Sequence, residues 1–175
     1  MATGSVVKHR YDCSVSIADG AALVQSFGMF TGNVSISNFN RKLRNVAAYK
    51  TRDGKATVRH TDRNEITFTL NFHLANFSGT VDAEGTSEIS PWDVFNRAGA
   101  WAAATSTLPV SAGGGDVFCV DITVNLEGTD IGEGADHTVT FTRCHGLVSA
   151  NIEEPATWSV EVTCYGDVSG DITLA

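Results

Sequence analysis

Cysteine is the residue type here with the widest chemistry, because thiolates bind metals, act as nucleophiles and form disulfides. The four cysteines lie within alternating strand patterns and form no Cys-x-x-Cys pair: Cys13, Cys119, Cys144 and Cys164. Structural zinc sites take ligands at short spacing on tight turns, so this spacing predicts no metal site. Cys144 and Cys164 are equally distant from Glu154, and a hairpin turning there would set them opposite each other. A cross-strand disulfide is conceivable, but a chain without a secretory signal usually keeps its thiols reduced, and we interpret the cysteines as buried apolar side chains.

The histidines and the glycine-rich runs give no catalytic motif. Cys144 and His145 are adjacent, so on a strand they point to opposite faces and cannot bind one metal ion. The run at 166–170 lacks the Gly-x-Ser-x-Gly spacing of a nucleophile elbow, and the glycines at 113–115 are not followed by the Lys-Ser/Thr of a phosphate-binding loop. The acidic run at 127–136 lacks the ligand order of an EF-hand. The sequence therefore predicts a protein that is not an enzyme and binds no cofactor or metal.

Alternation of apolar and polar residues with a period of two is the dominant pattern, and it predicts half-buried β-strands. The segments that show it, clearest first, are 66–74, 117–126, 158–165, 11–17, 34–39 and 138–148. The 175 residues are 42% hydrophobic and 18% charged, which excludes a disordered chain and fits one domain spanning 1–175. The sequence predicts a mainly β protein, an antiparallel β-sandwich or barrel with one flanking helix.

The helix is expected over residues 91–104. Ser90 is a favoured N-cap, a proline follows at the first helical position, and Asp93 is the acidic residue of a capping box. Trp92 and Phe95 share one stripe of this helix, so we expect both aromatic side chains to pack on the sheet. The apolar runs elsewhere are far shorter than the roughly 20 residues of a membrane-spanning helix, and no membrane partner is predicted.

Charge is distributed unevenly along the chain. The formal net charge is −8, which argues against a nucleic-acid-binding protein because phosphates attract clustered cations. Residues 41–63 nevertheless hold eight of the twelve basic residues and two acidic ones, a charge of +6, whereas the other four basic and eighteen acidic residues give −14. The alternation fades here and Asp53-Gly54 is a strong hairpin signal, so we expect a basic loop or hairpin arm over 40–65. Such an arm either binds an acidic neighbour or remains a solvated loop.

Together, these features resemble the tail tube (major tail) proteins of long-tailed bacteriophages. The resemblance covers most of the chain; its parts are 31–36 before the arm, 63–68 after it, the helix at 90–104, and the closing strands at 136–141 and 158–165. It implies a structural virion protein assembled in the host cytoplasm into stacked rings of six subunits, whose lumen passes DNA without specific binding. It also implies copies of the chain and other tail proteins as partners.

Two sets of residues are the site candidates under this resemblance. The arm is expected to dock on the adjacent ring through its basic residues, namely Arg41, Lys42, Arg44, Lys50, Arg52, Lys55, Arg59 and Arg63. Polar strand faces are expected to line the lumen, and the candidates are Asp121, Thr123, Asn125, Glu161 and Thr163.

Other classes of protein remain open. One group comprises other virion or secretion components of similar fold: a capsid decoration protein, a tail terminator or a type VI secretion tube subunit. Another is a ligand- or carbohydrate-binding β-sandwich, although Trp92, Trp101 and Trp158 are better placed for core or helix packing than for an exposed aromatic platform. An enzyme ranks third, because no local motif supports one.

Overall fold

The structure, a computed structural model, describes residues 13–28, 35–37, 44–50, 56–63, 65–73, 89–108, 117–126, 136–153 and 156–170. Its elements in chain order are β1 (Cys13–Ala18), β2 (Val24–Gly28), β3 (Ser35–Ser37), β4 (Arg44–Lys50), β5 (Ala56–Arg63), β6 (Ile66–His73), α1 (Pro91–Asn96), a 3₁₀ turn (Gly99–Trp101), β7 (Val120–Leu126), β8 (His137–Asn151), β9 (Thr157–Cys164) and β10 (Val168–Gly170). The mainly β prediction is confirmed. Of the described helices, none is long and apolar enough to cross a membrane.

Eight strands form one antiparallel sheet in the order β2-β1-β7-β8-β9-β6-β3, with β10 paired to β8. The long strand β8 holds this sheet together. Its first half pairs with β7 and β10, and its second half pairs with β9. β4 and β5 form a separate two-stranded antiparallel sheet, so these two strands of the basic segment pair as a hairpin. The predicted turn at Asp53-Gly54 lies outside the described residues.

The apolar face of the large sheet encloses the core. Ile66, Phe68, Leu70 and Phe72 of β6 are all buried, as their alternation predicts. The ring of Phe72 lies 5.2 Å from that of Phe27, centroid to centroid. Because β2 and β6 stand near opposite ends of the strand order, this contact shows that the sheet curls around its own core.

α1 has the expected beginning but ends early. The Ser90 Oγ accepts a hydrogen bond from the Asp93 N–H at 3.2 Å, and the Asp93 carboxylate accepts from the Ser90 N–H at 3.0 Å, which is the predicted capping box. The prediction of a helix reaching residue 104 is wrong, because Arg97 adopts a left-handed conformation (φ 53°) that terminates α1 at Asn96. The following 3₁₀ turn places Trp101 in the core.

The aromatic residues of α1 separate into one buried and one exposed side chain. Phe95 is buried in the core, whereas Trp92 is 43% exposed, so the prediction that both pack on the sheet is wrong for Trp92. Phe95 packs over Gly146 of β8, where an added Cβ would lie 2.5 Å from the Phe95 Cε1 and 2.9 Å from the Val160 Cγ1. The missing side chain at residue 146 is therefore what lets α1 approach the sheet.

Replacing Gly146 by alanine should destabilise the protein by about 1–3 kcal/mol, because the new methyl group overpacks the contact with Phe95. The free energy of unfolding from urea titration checks this. Ser149→Ala, at an exposed position of the same strand, is the matched control and should change stability by less than about 0.5 kcal/mol. Equal stability of Gly146→Ala and the control would contradict the packing argument.

A buried carboxylate joins the β1–β2 turn to the segment after α1. Asp19 is 8% exposed and accepts hydrogen bonds of 2.9 Å from the backbone N–H groups of Ala21, Leu23 and Thr105. The Gly20 N–H donates in turn to the Thr105 carbonyl at 2.8 Å. Burial raises the pKa of Asp19, but the backbone donors outweigh it and hold this pKa below the ordinary carboxyl value.

Because the folded-state pKa of Asp19 is lowered, its stabilisation is present above the ordinary carboxyl pKa and is lost as the pH falls through the folded value. Asp19→Asn should therefore cost about 2 kcal/mol at pH 7, since an amide nitrogen cannot accept from the third donor. Urea midpoints at pH 7 and pH 3 test this: the gap between the wild type and the variant should narrow at pH 3. A gap of constant size would show that Asp19 does not stabilise the fold as a charged group.

Candidate assembly surfaces

The basic hairpin holds half of the docking candidates on its strands. Arg44 and Lys50 lie on β4, and Arg59 and Arg63 lie on β5. In the register of the hairpin Arg44 is the direct partner of Arg63. The other candidates, Arg41, Lys42, Arg52 and Lys55, are outside the described residues.

The outer face of the large sheet, opposite the core, holds all five lumen candidates. Asp121, Thr123 and Asn125 lie on β7, and Glu161 and Thr163 lie on β9. Each alternates with buried residues of its strand; Glu161 is exposed and the other four are half-buried. The structure therefore places them on one continuous face, on either side of the central strand β8.

Hydroxyl groups form a row across this outer face. One hydroxyl residue from each of five strands occupies the same register, in the order Ser26, Ser16, Thr123, Thr140 and Ser169. The hydroxyls of Thr123 and Thr140 are 3.0 Å apart, and the Ser26 hydroxyl donates to that of Ser16 at 3.4 Å. In the next row, the Asn125 amide donates to the Ser14 hydroxyl at 3.2 Å. These side chains satisfy one another, so this part of the face is polar and uncharged.

Asp121 also has a structural role on this face, because it accepts a hydrogen bond from β8. Two residues of β8, Thr142 and Arg143, oppose Asp121 on β7, which is a β-bulge. Arg143 has a left-handed backbone (φ 57°), and its N–H donates to the Asp121 carboxylate at 2.9 Å. Gly166 closes the bulge from the other side, since an added Cβ would collide with Thr142. Sequence reasoning missed this bulge; its one trace is the weakness of the alternation over 138–148.

The edges of the large sheet are the other candidate surface. Among the described strands, β2 and β3 are the ends of the strand order and each pairs on one side only. Val24 of β2 is 62% exposed. Unpaired backbone donors and acceptors at such an edge are available to a strand from another chain.

The groups with catalytic potential remain dispersed. Within the residues that the structure describes, no three His, Cys, Asp or Glu residues cluster as a metal site would require. Cys144 faces the core, whereas the His145 ring lies on the other side of β8, with its Nδ1 3.2 Å from the Phe118 carbonyl oxygen. The predicted separation of these two residues is confirmed. His9 and the acidic residues of 127–135 are outside the described residues.

Asp121 should matter for the stability of the isolated protein, because it satisfies the N–H of the bulge at Arg143. Asp121→Ala should lower the free energy of unfolding by about 1–2 kcal/mol. Glu161→Ala, at the exposed candidate position of β9, is the matched control and should leave stability within about 0.5 kcal/mol. Urea titration distinguishes them, and equal effects would argue against a structural role for Asp121.

No family model and no curated protein matches this sequence. Solved structures do match. A chain of the sheath–tube complex of the extracellular contractile injection system PVC has a TM-score of 0.56 at 14% identity, covering 97% of this chain and 95% of that one. A chain of the PVC sheath/tube terminator has a TM-score of 0.58 at 14% identity, covering 97% and 100%. A chain of the tube-terminating cap of the anti-feeding prophage has a TM-score of 0.58 at 10% identity, covering 99% and 96%. This protein therefore has a fold found in components of tail-like injection systems.

Proposed function

We propose that this chain is a structural subunit of a phage-tail-like tube and catalyses no reaction. The supporting observation is the likeness in fold to components of contractile injection systems, which extends over 97–99% of the chain. In this proposal the whole chain, 1–175, is one subunit domain, and 40–65 is its arm. Its partners are copies of itself and other proteins of the tail-like particle, assembled in the host cytoplasm.

The open edges of the sheet support a ring. A β2 edge of one copy meeting the β3 edge of the next would pair the exposed backbone groups of both, and closing the ring would leave neither of these two edges unpaired. The proposed ring has six subunits, and one structural neighbour belongs to an anti-feeding prophage baseplate reconstructed with six-fold symmetry.

The charge distribution supports contact between rings through the arm. Residues 41–63 carry +6 and the rest of the chain −14, so the arm of one subunit and the body of another attract each other. Arg44 and Arg63 are register partners in this hairpin, so a single acidic surface would meet two basic residues there.

The polarity of the outer face of the sheet is consistent with a lumen that passes DNA without binding it. Hydroxyl and amide groups dominate the strip that contains Thr123 and Asn125, and these groups are hydrogen-bonded to one another. DNA binding depends on cations that neutralise phosphates. This uncharged strip, together with the carboxylates of Asp121 and Glu161 on the same face, would let a duplex slide without binding it specifically.

The end of the tube is the position that the comparisons favour. Two of the neighbours belong to a sheath/tube terminator and a tube-terminating cap, at TM-scores of 0.58. A subunit of the tube shaft is the second candidate, favoured by the opposite charges of arm and body. The two differ in symmetry: a shaft subunit makes head-to-tail contacts that repeat without limit, whereas a terminator ring stops after one layer.

Charge reversal in the hairpin tests the proposed docking. Lys50→Glu with Arg59→Glu should abolish the association of rings, because the arm then repels the acidic body. Negative-stain microscopy and sedimentation of the wild type should show rings alone if the protein is a terminator and long tubes if it is a shaft subunit. The charge-reversed variant of a shaft subunit should form no tubes. The charge-reversed variant of a terminator should no longer bind to the ends of tubes.

The matched control preserves the charge at both positions: Lys50→Arg with Arg59→Lys should assemble as the wild type does. Unaltered assembly of the charge-reversed variant would refute docking by the arm while leaving the ring intact. A wild-type protein that stays monomeric at high concentration and low salt would refute the proposed function itself.

A further inference from the structure

Two cysteine thiols face each other across neighbouring strands in the core. Cys144 of β8 and Cys164 of β9 are direct partners in the antiparallel register. Their side chains therefore leave the sheet on the same side, and both are buried, at 0% and 3% exposure. Both residues carry thiols in the structure. The Cys144 Sγ lies 3.5 Å from the Phe141 carbonyl oxygen, and the Cys164 Sγ lies 3.2 Å from that of Thr142.

The backbone hydrogen bonds identify which kind of register pair this is. The Tyr165 N–H donates to the Arg143 carbonyl at 3.1 Å. Across a planar trans peptide the carbonyl and the N–H point in opposite directions. The Cys164 carbonyl therefore points away from β8, and the Cys144 N–H points away from β9. Cys144 and Cys164 thus form a non-hydrogen-bonded pair, in which the Cα atoms approach to about 4.5 Å and the side chains are closest.

That separation lies at the short end of the range that a disulfide spans, about 4.4–6.8 Å between Cα atoms. A bond formed there needs little movement of the backbone. The two S–H hydrogen bonds that it would replace are weak, because a thiol is a poor donor.

Burial in the core also keeps the Cys144 and Cys164 thiols reduced while small-molecule thiols are in excess in solution. A hydrogen bond with the Cys164 thiol and then burial raise the pKa of Cys144. The thiolate is the attacking form in disulfide exchange, so oxidation is slow as long as β8 and β9 stay closed.

We propose that Cys144 and Cys164 are a redox site. Both thiols are reduced in the cytoplasm, and they are oxidised to a cross-strand disulfide when the protein meets a small-molecule disulfide such as oxidised glutathione. One protein thiolate attacks the glutathione disulfide and releases one glutathione; the second protein thiol then displaces the other. The S–S bond of the oxidant is replaced by that between Cys144 and Cys164, and the two thiol protons end on two glutathione molecules.

Closure would tie β8 to β9 across the hairpin loop between them. Linking residues about 20 positions apart restricts the unfolded chain, and this stabilises the folded state. The chemistry does not depend on the proposed function, but its setting does: a particle assembled in a reducing cytoplasm and then released enters an environment where disulfides persist.

Purified protein equilibrated with oxidised glutathione tests the proposal. The intact mass should fall by two hydrogen atoms, and non-reducing peptide mapping should recover one cross-linked peptide joining Cys144 to Cys164. The melting temperature should rise by about 5 °C and return to the starting value with dithiothreitol. Glutathione adducts without an internal cross-link, or no change of mass even after unfolding and refolding in the same buffer, would overturn it.

The third buried thiol provides the control. Cys119 is 0% exposed and precedes Val120, the register partner of Cys144 on β7. Cys119→Ser should keep both the mass change and the rise in melting temperature, whereas Cys164→Ser should lose both. A cross-link that includes Cys119 would also contradict the proposal. The test uses unassembled protein, so the absence of a disulfide would not contradict the proposed tube function. Likewise, a failure to assemble would not contradict the proposed disulfide.

Discussion

The bulge at Arg143 is the constraint on which the rest of the sheet depends. Up to Phe141 the odd-numbered residues of β8 face the core, and from Cys144 onward the even-numbered ones do. Without the extra residue, one half of this strand would turn its apolar side chains to the outer face. The left-handed conformation of Arg143 costs about 1–2 kcal/mol, and the hydrogen bond from its N–H to the Asp121 carboxylate offsets part of that cost. Because β8 joins the two halves of the sheet, this local geometry sets which residues are buried on both sides of it.

The bulge also explains why the sequence predicts some strands clearly and β8 only weakly. The alternation of β6 is regular, so its strand, its buried face and its phase all follow from the residues between Ile66 and Phe72. The alternation of β8 reads as weaker because its phase changes in the middle. The capping box at Ser90 is local and was predictable. The end of α1 was not, because arginine is a good helix former and nothing local marks Arg97 as the left-handed residue.

The candidate surfaces divide in the same way. The basic character of the segment that holds β4 and β5 follows from composition, and the outer-face placement of residues such as Thr123 follows from alternation. The sequence does not predict which polar side chains stabilise the fold through hydrogen bonds to distant parts of the chain. Asp121 meets Arg143, 22 positions away, and Asp19 meets Thr105, 86 positions away. Neither contact leaves a local pattern.

The basic hairpin differs from the rest of the fold in what supports it. Among the described strands, β4 and β5 pair with each other and not with the large sheet. A two-stranded hairpin by itself is marginally stable in water. Its register sets two basic residues, Arg44 and Arg63, opposite each other. In the proposed assembly, an acidic surface of a neighbouring subunit would supply this hairpin with burial and with opposite charge. Docking of this kind would stabilise the hairpin and join the proposed rings through the same contact.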